Sequence, residues 1–139
     1  MDSRDLRLLE IRPEIPSARV SEKMSTDEQF QNRTLRPVIK LQRDLLLEAF
    51  RNYINKHKNA FYELNPDRRL IYIANAIQKD IKFRNSLKGM VIGQFSIEEY
   101  REYIKNSSAL NKRMMNIVIQ QLQSNIQLLE RDVIYQQTG

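Results

Sequence analysis

Apolar residues recur at three- and four-residue spacing along most of this chain, a period that fits helices and not strands. Leu35, Val38, Ile39, Leu45, Leu46, Ala49, Phe50, Tyr53 and Ile54 mark one face of a helix predicted from about Leu35 to His57. Thr34 stands where an N-cap is expected, and Pro37 falls in the first turn, where its missing N–H does no harm. Asn65-Pro66-Asp67 predicts the next start, with a cap, a proline at the first helical position and an acid near the positive end of the helix dipole. Leu70, Ile73, Ala74, Ile77 and Ile81 follow on one face. The apolar positions then move to Phe83, Leu87, Met90 and Val91, which predicts a kink or restart around Asp80 and a last turn between Leu87 and Ile92.

Ser96-Ile97-Glu98-Glu99 matches a capping box and predicts a short helix to about Lys105, broken at Asn106-Ser107-Ser108. The last helix is expected from Ala109 to about Arg131, capped by Ser107 or Ser108. Between Ala109 and Leu129 its only charges are Lys112 and Arg113, and amides fill most other polar positions. Met115 and Ile119 are left over once one face is assigned. An apolar arc this wide suits a central bundle helix or a self-association surface at Met115, Ile119, Leu122 and Ile126.

Residues 1–31 carry Pro13 and Pro16 and no sustained period, which predicts an extended arm. Its Leu6, Leu8, Leu9, Ile11 and Ile15 can pack on the body of the same subunit or on a neighbour. The expected architecture is all-α: a compact bundle of four to five helices over 32–131, preceded by the arm at 1–31 and followed by a frayed tail at 132–139.

Composition narrows the setting. A length of 139 residues suits one domain, and the absence of cysteine removes disulfides and thiolate chemistry. Leu8-Leu9 is too short for the apolar core of a signal peptide. The longest uncharged stretch, Met114 to Leu129, is short and interrupted by amides, so no membrane insertion is expected. A cytoplasmic location follows as the expectation. A net charge of +6 favours anionic partners, either an acidic protein surface or nucleic acid.

Candidate chemistry is sparse. The single histidine, His57, lies at a predicted helix C-terminus between Lys56 and Lys58, where a cation suits the dipole. No Glu-x-x-His, His-x-x-x-His or cysteine completes a metal set around it, and no catalytic, cofactor or metal site is predicted. Glu98, Glu99 and Glu102 sit in the first turns of a helix, where acids are favoured without any catalytic role. Gly89 to Gly93 lacks both the Lys-Ser/Thr ending of a phosphate loop and dinucleotide-fold spacing.

The basic residues are more informative. Arg36, Lys40, Arg43, Arg51 and Lys58 fall on one side of the first long helix, although Asp44 and Glu48 are spaced to pair with Lys40 and Arg51. Lys82, Arg84 and Lys88, with Lys112 and Arg113, flank the later breaks. Residues 96–119 have the outline of a helix-turn-helix, in which Asn111, Lys112, Arg113 and Asn116 would open a recognition helix. The expected function is therefore a non-enzymatic binding or adaptor role through Arg36, Lys40, Arg43, Lys82, Arg84, Lys88, Asn111, Lys112 and Arg113, in a protein that also forms a homo-oligomer. A nucleic-acid-binding module and an enzyme or ligand carrier are the alternatives.

Three stretches carry a resemblance: Phe30-Gln31-Asn32-Arg33-Thr34-Leu35-Arg36-Pro37, Lys82-Phe83-Arg84-Asn85-Ser86-Leu87-Lys88-Gly89 and Asn106-Ser107-Ser108-Ala109-Leu110-Asn111-Lys112-Arg113-Met114-Met115. Over roughly residues 1 to 130 the chain resembles a family of small bacterial proteins of unknown function, some of which carry the name glyoxalase. The resemblance brings no assigned chemistry. A glyoxalase is built from βαβββ modules with His and Glu metal ligands, and this chain has helical periodicity and one histidine.

Overall fold

The computed structural model describes residues 2–130, which are helical with no strand among them. Helix α1 (Ser3–Ile11) opens the chain, capped by the Asp2 carboxylate, which accepts from the Asp5 amide. The expected extended arm is thus corrected over these residues: an Asx cap starts a helix, and Pro13 follows two residues after its end. Residues 12–25 are irregular and lead to α2 (Thr26–Phe30), capped by Ser25.

The chain then widens into a π-turn (Gln31–Leu35) and continues as α3 (Arg36–Leu41). Proline explains the widening. Pro37 has no N–H to give the Arg33 carbonyl four residues back, and its ring would crowd that oxygen in a regular helix. The Arg36 N–H bonds to the Gln31 carbonyl across five residues, and the extra width makes room. Thr34 is consequently no N-cap; it lies fully buried inside the π-turn.

The helix expected from Leu35 to His57 is divided at Gln42, where ψ is 3°, into α3 and α4 (Arg43–Lys56). The Gln42 amide donates to the Met90 carbonyl at 2.8 Å and ties this joint to a later helix. His57 ends α4, and Lys58 and Asn59 turn the chain through left-handed backbone at φ 61° and 58°. A 3₁₀ turn (Ala60–Glu63) leads to α5 (Pro66–Lys79), started by Asn65 and Pro66 as expected. Asp80 closes α5 and caps α6 (Ile81–Ile92), so the drift in apolar positions is a restart.

Helix α7 (Ile97–Tyr103) begins with a complete capping box from Ser96 and Glu99. The expected break at Asn106-Ser107-Ser108 narrows to Asn106, whose φ of -149° and ψ of 48° leave helical geometry between a 3₁₀ turn (Ile104–Asn106) and α8 (Ser107–Ser124). Asn106 stands at the cap position of α8 and gives its side-chain amide to Asp27 instead. Helix α8 ends at Ser124, short of the expected Arg131, and a further 3₁₀ turn (Ile126–Leu129) follows. The expected tail at 132–139 lies outside the described residues.

Helix α8 packs against α3, α4, α5 and α6. Its Leu110, Met114, Met115, Ile117, Val118, Ile119 and Leu122 are all buried, together with Val38, Ile39, Phe50, Ile73, Ile77, Leu87 and Val91 from the surrounding helices. This corrects the surface expected at Met115, Ile119, Leu122 and Ile126. The first three are covered by the chain itself, and Ile126 is half-buried against the same core.

Candidate functional site

The predicted basic residues distribute over α3, α4, α6 and α8. In α4, Arg43 pairs with Asp44 and Arg51 with Glu48, and Arg51 also donates to the Leu128 carbonyl. The pairing that spacing allowed between Lys40 and Asp44 does not form. Asp44 is taken by the neighbouring guanidinium, and Lys40 is exposed. Every ion pair among the described residues uses an arginine. Arg36, Lys40, Lys82, Lys88 and Lys112 therefore have no carboxylate partner within 4 Å among those residues.

Two contacts relate these cations in space. Arg113 donates to the Gln31 side-chain oxygen at 3.0 Å, and the Gln31 backbone oxygen accepts from the backbone N–H of Arg36. The start of α8, with Lys112 and Arg113, thus lies against the π-turn that launches Arg36 and Lys40. On α6, Arg84 donates to the Gln78 carbonyl, and Lys88 lies two residues before the carbonyl held by Gln42. Helix α8 lies between α3 and α6 as the common packing partner.

The same contacts bear on direct base reading. Asn111 accepts a hydrogen bond from the Tyr103 hydroxyl, and Arg113 is held by Gln31. Asn111 and Arg113 are thus engaged inside the chain while Lys112 and Asn116 are exposed, and the two helices are joined by a 3₁₀ turn that ends in non-helical backbone at Asn106.

Sequence reasoning missed the strongest polar joint. Arg12, from the arm, grips Glu99 with both terminal nitrogens, at 2.6 and 2.7 Å, and also donates to the Gln94 carbonyl at 2.7 Å. The two side chains are 6% and 10% exposed. Glu99 further accepts from the Thr34 hydroxyl at 2.7 Å and from the Ser96 amide at 2.8 Å. Burial pushes its carboxyl up, but the hydrogen bonds from Arg12, Ser96 and Thr34, with the charge of Arg12, outweigh burial and hold it below its ordinary range. Nearby, Asp5 accepts from the Ile97 amide, and Arg4 reaches the Gly93 and Phe95 carbonyls. The arm is therefore fixed by polar contacts to the α6–α7 connection. A cleft of about 1000 Å³ lies between residues 12–19 of the arm and the Arg33 and Glu102 side of the body. Within it Arg33 pairs with Glu102 and Arg12 with Glu99, while Glu14 and Glu98 are in no ion pair among the described residues.

His57 lies on an aromatic stack, its ring 4.0 Å from Tyr53, whose other side meets Phe83 at 4.3 Å. Its Nδ1 is 2.8 Å from the Tyr53 carbonyl oxygen. Among the described residues no cluster of three or more His, Asp or Glu side chains is placed to hold a metal ion. No helix among them is long and apolar enough to cross a membrane.

Compared with family models, curated proteins and solved structures, the chain finds no match.

Proposed function

We propose that this chain is a non-enzymatic cytoplasmic binding protein, in which a compact helical bundle presents cations to an acidic protein surface. The observation that carries this reading is the set of side chains, Arg36, Lys40, Lys82, Lys88 and Lys112, that lack a carboxylate partner within 4 Å among the described residues. Unneutralised cations on neighbouring elements add their potentials, whereas a cation beside its own carboxylate keeps its field local. Arg36 and Lys40 share one side of α3, and Arg113 brings the start of α8 to the same place. Asn111, Arg43 and Arg84 belong to the periphery of this surface, since each has an intramolecular partner.

An acidic protein is favoured over nucleic acid because Asn111 and Arg113, two of the four side chains expected to read bases, are held within the chain. The test is binding to a labelled polyglutamate peptide and to duplex DNA of equal charge, at several salt concentrations. The proposal expects salt-dependent binding of the peptide, weakened by Arg36→Glu with Lys40→Glu. Preference for DNA would move the function to nucleic acid, and binding to neither probe would remove the cationic surface as its basis.

A further inference from the structure

Helix α1 is held to the body by polar contacts and by little else. Of its residues only Asp5 is buried, while Leu6, Leu9 and Ile11 are exposed. Arg4, Leu8 and the capping Arg12 recur every four residues and share one side, on which Leu8 is half-buried. Arg4 donates to the Gly93 and Phe95 carbonyls, both at 3.0 Å, and Arg12 donates to the Gln94 carbonyl and to both Glu99 oxygens. Three successive carbonyls, left behind where α6 ends at Gly93, and one buried carboxylate thus face two guanidinium groups. The negative end of the α6 dipole adds to their attraction for a cation.

These acceptors form a receptor for arginine, and the arm fills it imperfectly. The Nε of Arg12 is buried without an acceptor, the one such side-chain atom among the described residues. An unmet buried donor opposes docking. Apolar burial offsets little of this, because Leu6, Leu9 and Ile11 remain in water. A segment that carries the same two arginines and also buries apolar side chains gains more from the site than the arm does. A second copy of the chain gains nothing: exchanging arms replaces every contact by an identical one, and the loss of translational freedom opposes the exchange.

We infer that the α6–α7 connection, residues 93–99, is a docking site for an arginine-bearing helical segment of a partner protein. The segment has the Arg-x-x-x-Leu-x-x-x-Arg spacing of Arg4, Leu8 and Arg12, and the arm occupies the site in cis as its competitor. Tethered through residues 13–25, the arm acts at an effective concentration in roughly the millimolar range, so a segment in trans is excluded until the arm lifts. This site takes a cation and the surface on α3 and α8 takes an anion, so the two partners do not compete.

A labelled peptide with the sequence of residues 2–15, added to the full chain and followed by fluorescence anisotropy, tests the inference. Arg12→Ala in the chain weakens the cis arm and leaves Glu99 without its guanidinium, so this variant should bind the peptide on the order of 100-fold more tightly than the wild type does. The peptide should also raise the Tm of that variant, because binding returns a guanidinium to Glu99. Arg4→Ala, at a side chain 50% exposed, is milder for folding and should tighten binding by on the order of 10-fold. A peptide carrying both Arg4→Ala and Arg12→Ala should bind none of these chains. Equal binding to wild type and variants, no binding to either variant, or undiminished binding of the peptide without arginines would overturn the inference. So would a wild-type dimer, seen by sedimentation velocity, that added peptide dissociates, since the occupant would then be the arm of a second copy.

Discussion

Replacing Arg12 with alanine strips Glu99 of both guanidinium contacts in a site from which water is largely excluded. Removing one partner of a buried ion pair costs about 3–5 kcal/mol, because the other charge is left uncompensated. Glu99 keeps its bonds from Thr34 and Ser96, which places the expectation near the lower end, about 3 kcal/mol. At about 3–5 °C per kcal/mol for a chain of this size, Tm should fall by roughly 10–15 °C. Undocking of the arm returns Glu99 to water and caps the loss, and faster hydrogen exchange at the amides of Ser3–Ile11 would report that route.

The pH dependence follows from the direction of the Glu99 shift. Its folded value lies below the unfolded one, so its contribution is present at pH above the unfolded value and is lost as pH falls through the folded value. Without Arg12 the hydrogen bonds and the charge that hold Glu99 low are reduced to those from Ser96 and Thr34, so the variant has less of this contribution to lose on acidification. The deficit relative to wild type should therefore be largest near neutrality and shrink on acidification. Urea unfolding of both proteins at neutral and mildly acidic pH measures it. A deficit under about 1 kcal/mol with unchanged exchange in α1 would refute the reasoning, as would one that grows on acidification.

Other positions give further expected outcomes. Phe50, fully buried with ring contacts to Tyr53, Phe61, Tyr72 and Phe83, should lose about 3–5 kcal/mol on Phe50→Ala, read by urea unfolding. Burial, then the Asp80 carboxylate, push the Tyr53 hydroxyl up to about 12. Its stabilising contribution is whole below the unfolded value and lost as pH rises through the folded one, and Tyr53→Phe should remove the last step of a phenolate absorbance titration. His57→Gln should change stability by no more than about 0.5 kcal/mol in thermal unfolding, since His57 is exposed and ends its helix.

What was legible in the sequence was local. Asn65-Pro66, Asp80 and the Ser96–Glu99 box act within three residues of themselves, so their residue types announce the helices they start. The wide apolar arc of α8 was compatible with a helix surrounded by others or with a self-association surface; that neighbours within the chain would cover Met115 and Ile119 depended on packing that no period records. Pro37 was readable as a first-turn proline, but that it would widen the preceding turn and bury Thr34 required the helix to begin earlier, at Thr26. Asp2, with Asp5 three residues on, was a cap signal for α1 that the two prolines obscured. Arg12 and Glu99 are 87 residues apart. Glu99 was read as a helix-start acid, which it is, and nothing in its neighbourhood told of the second role.

The unpaired cations of α3 and α8 carry the functional account, and association kinetics test them most directly. Polyglutamate binding is measured by stopped-flow anisotropy across a salt series, for the wild type and for the Arg36→Glu, Lys40→Glu variant, with circular dichroism to verify the fold. The account predicts an unchanged spectrum, association slower by on the order of 10-fold at low salt and a flatter salt slope for the variant. Equal rates and equal slopes for the two proteins would contradict it.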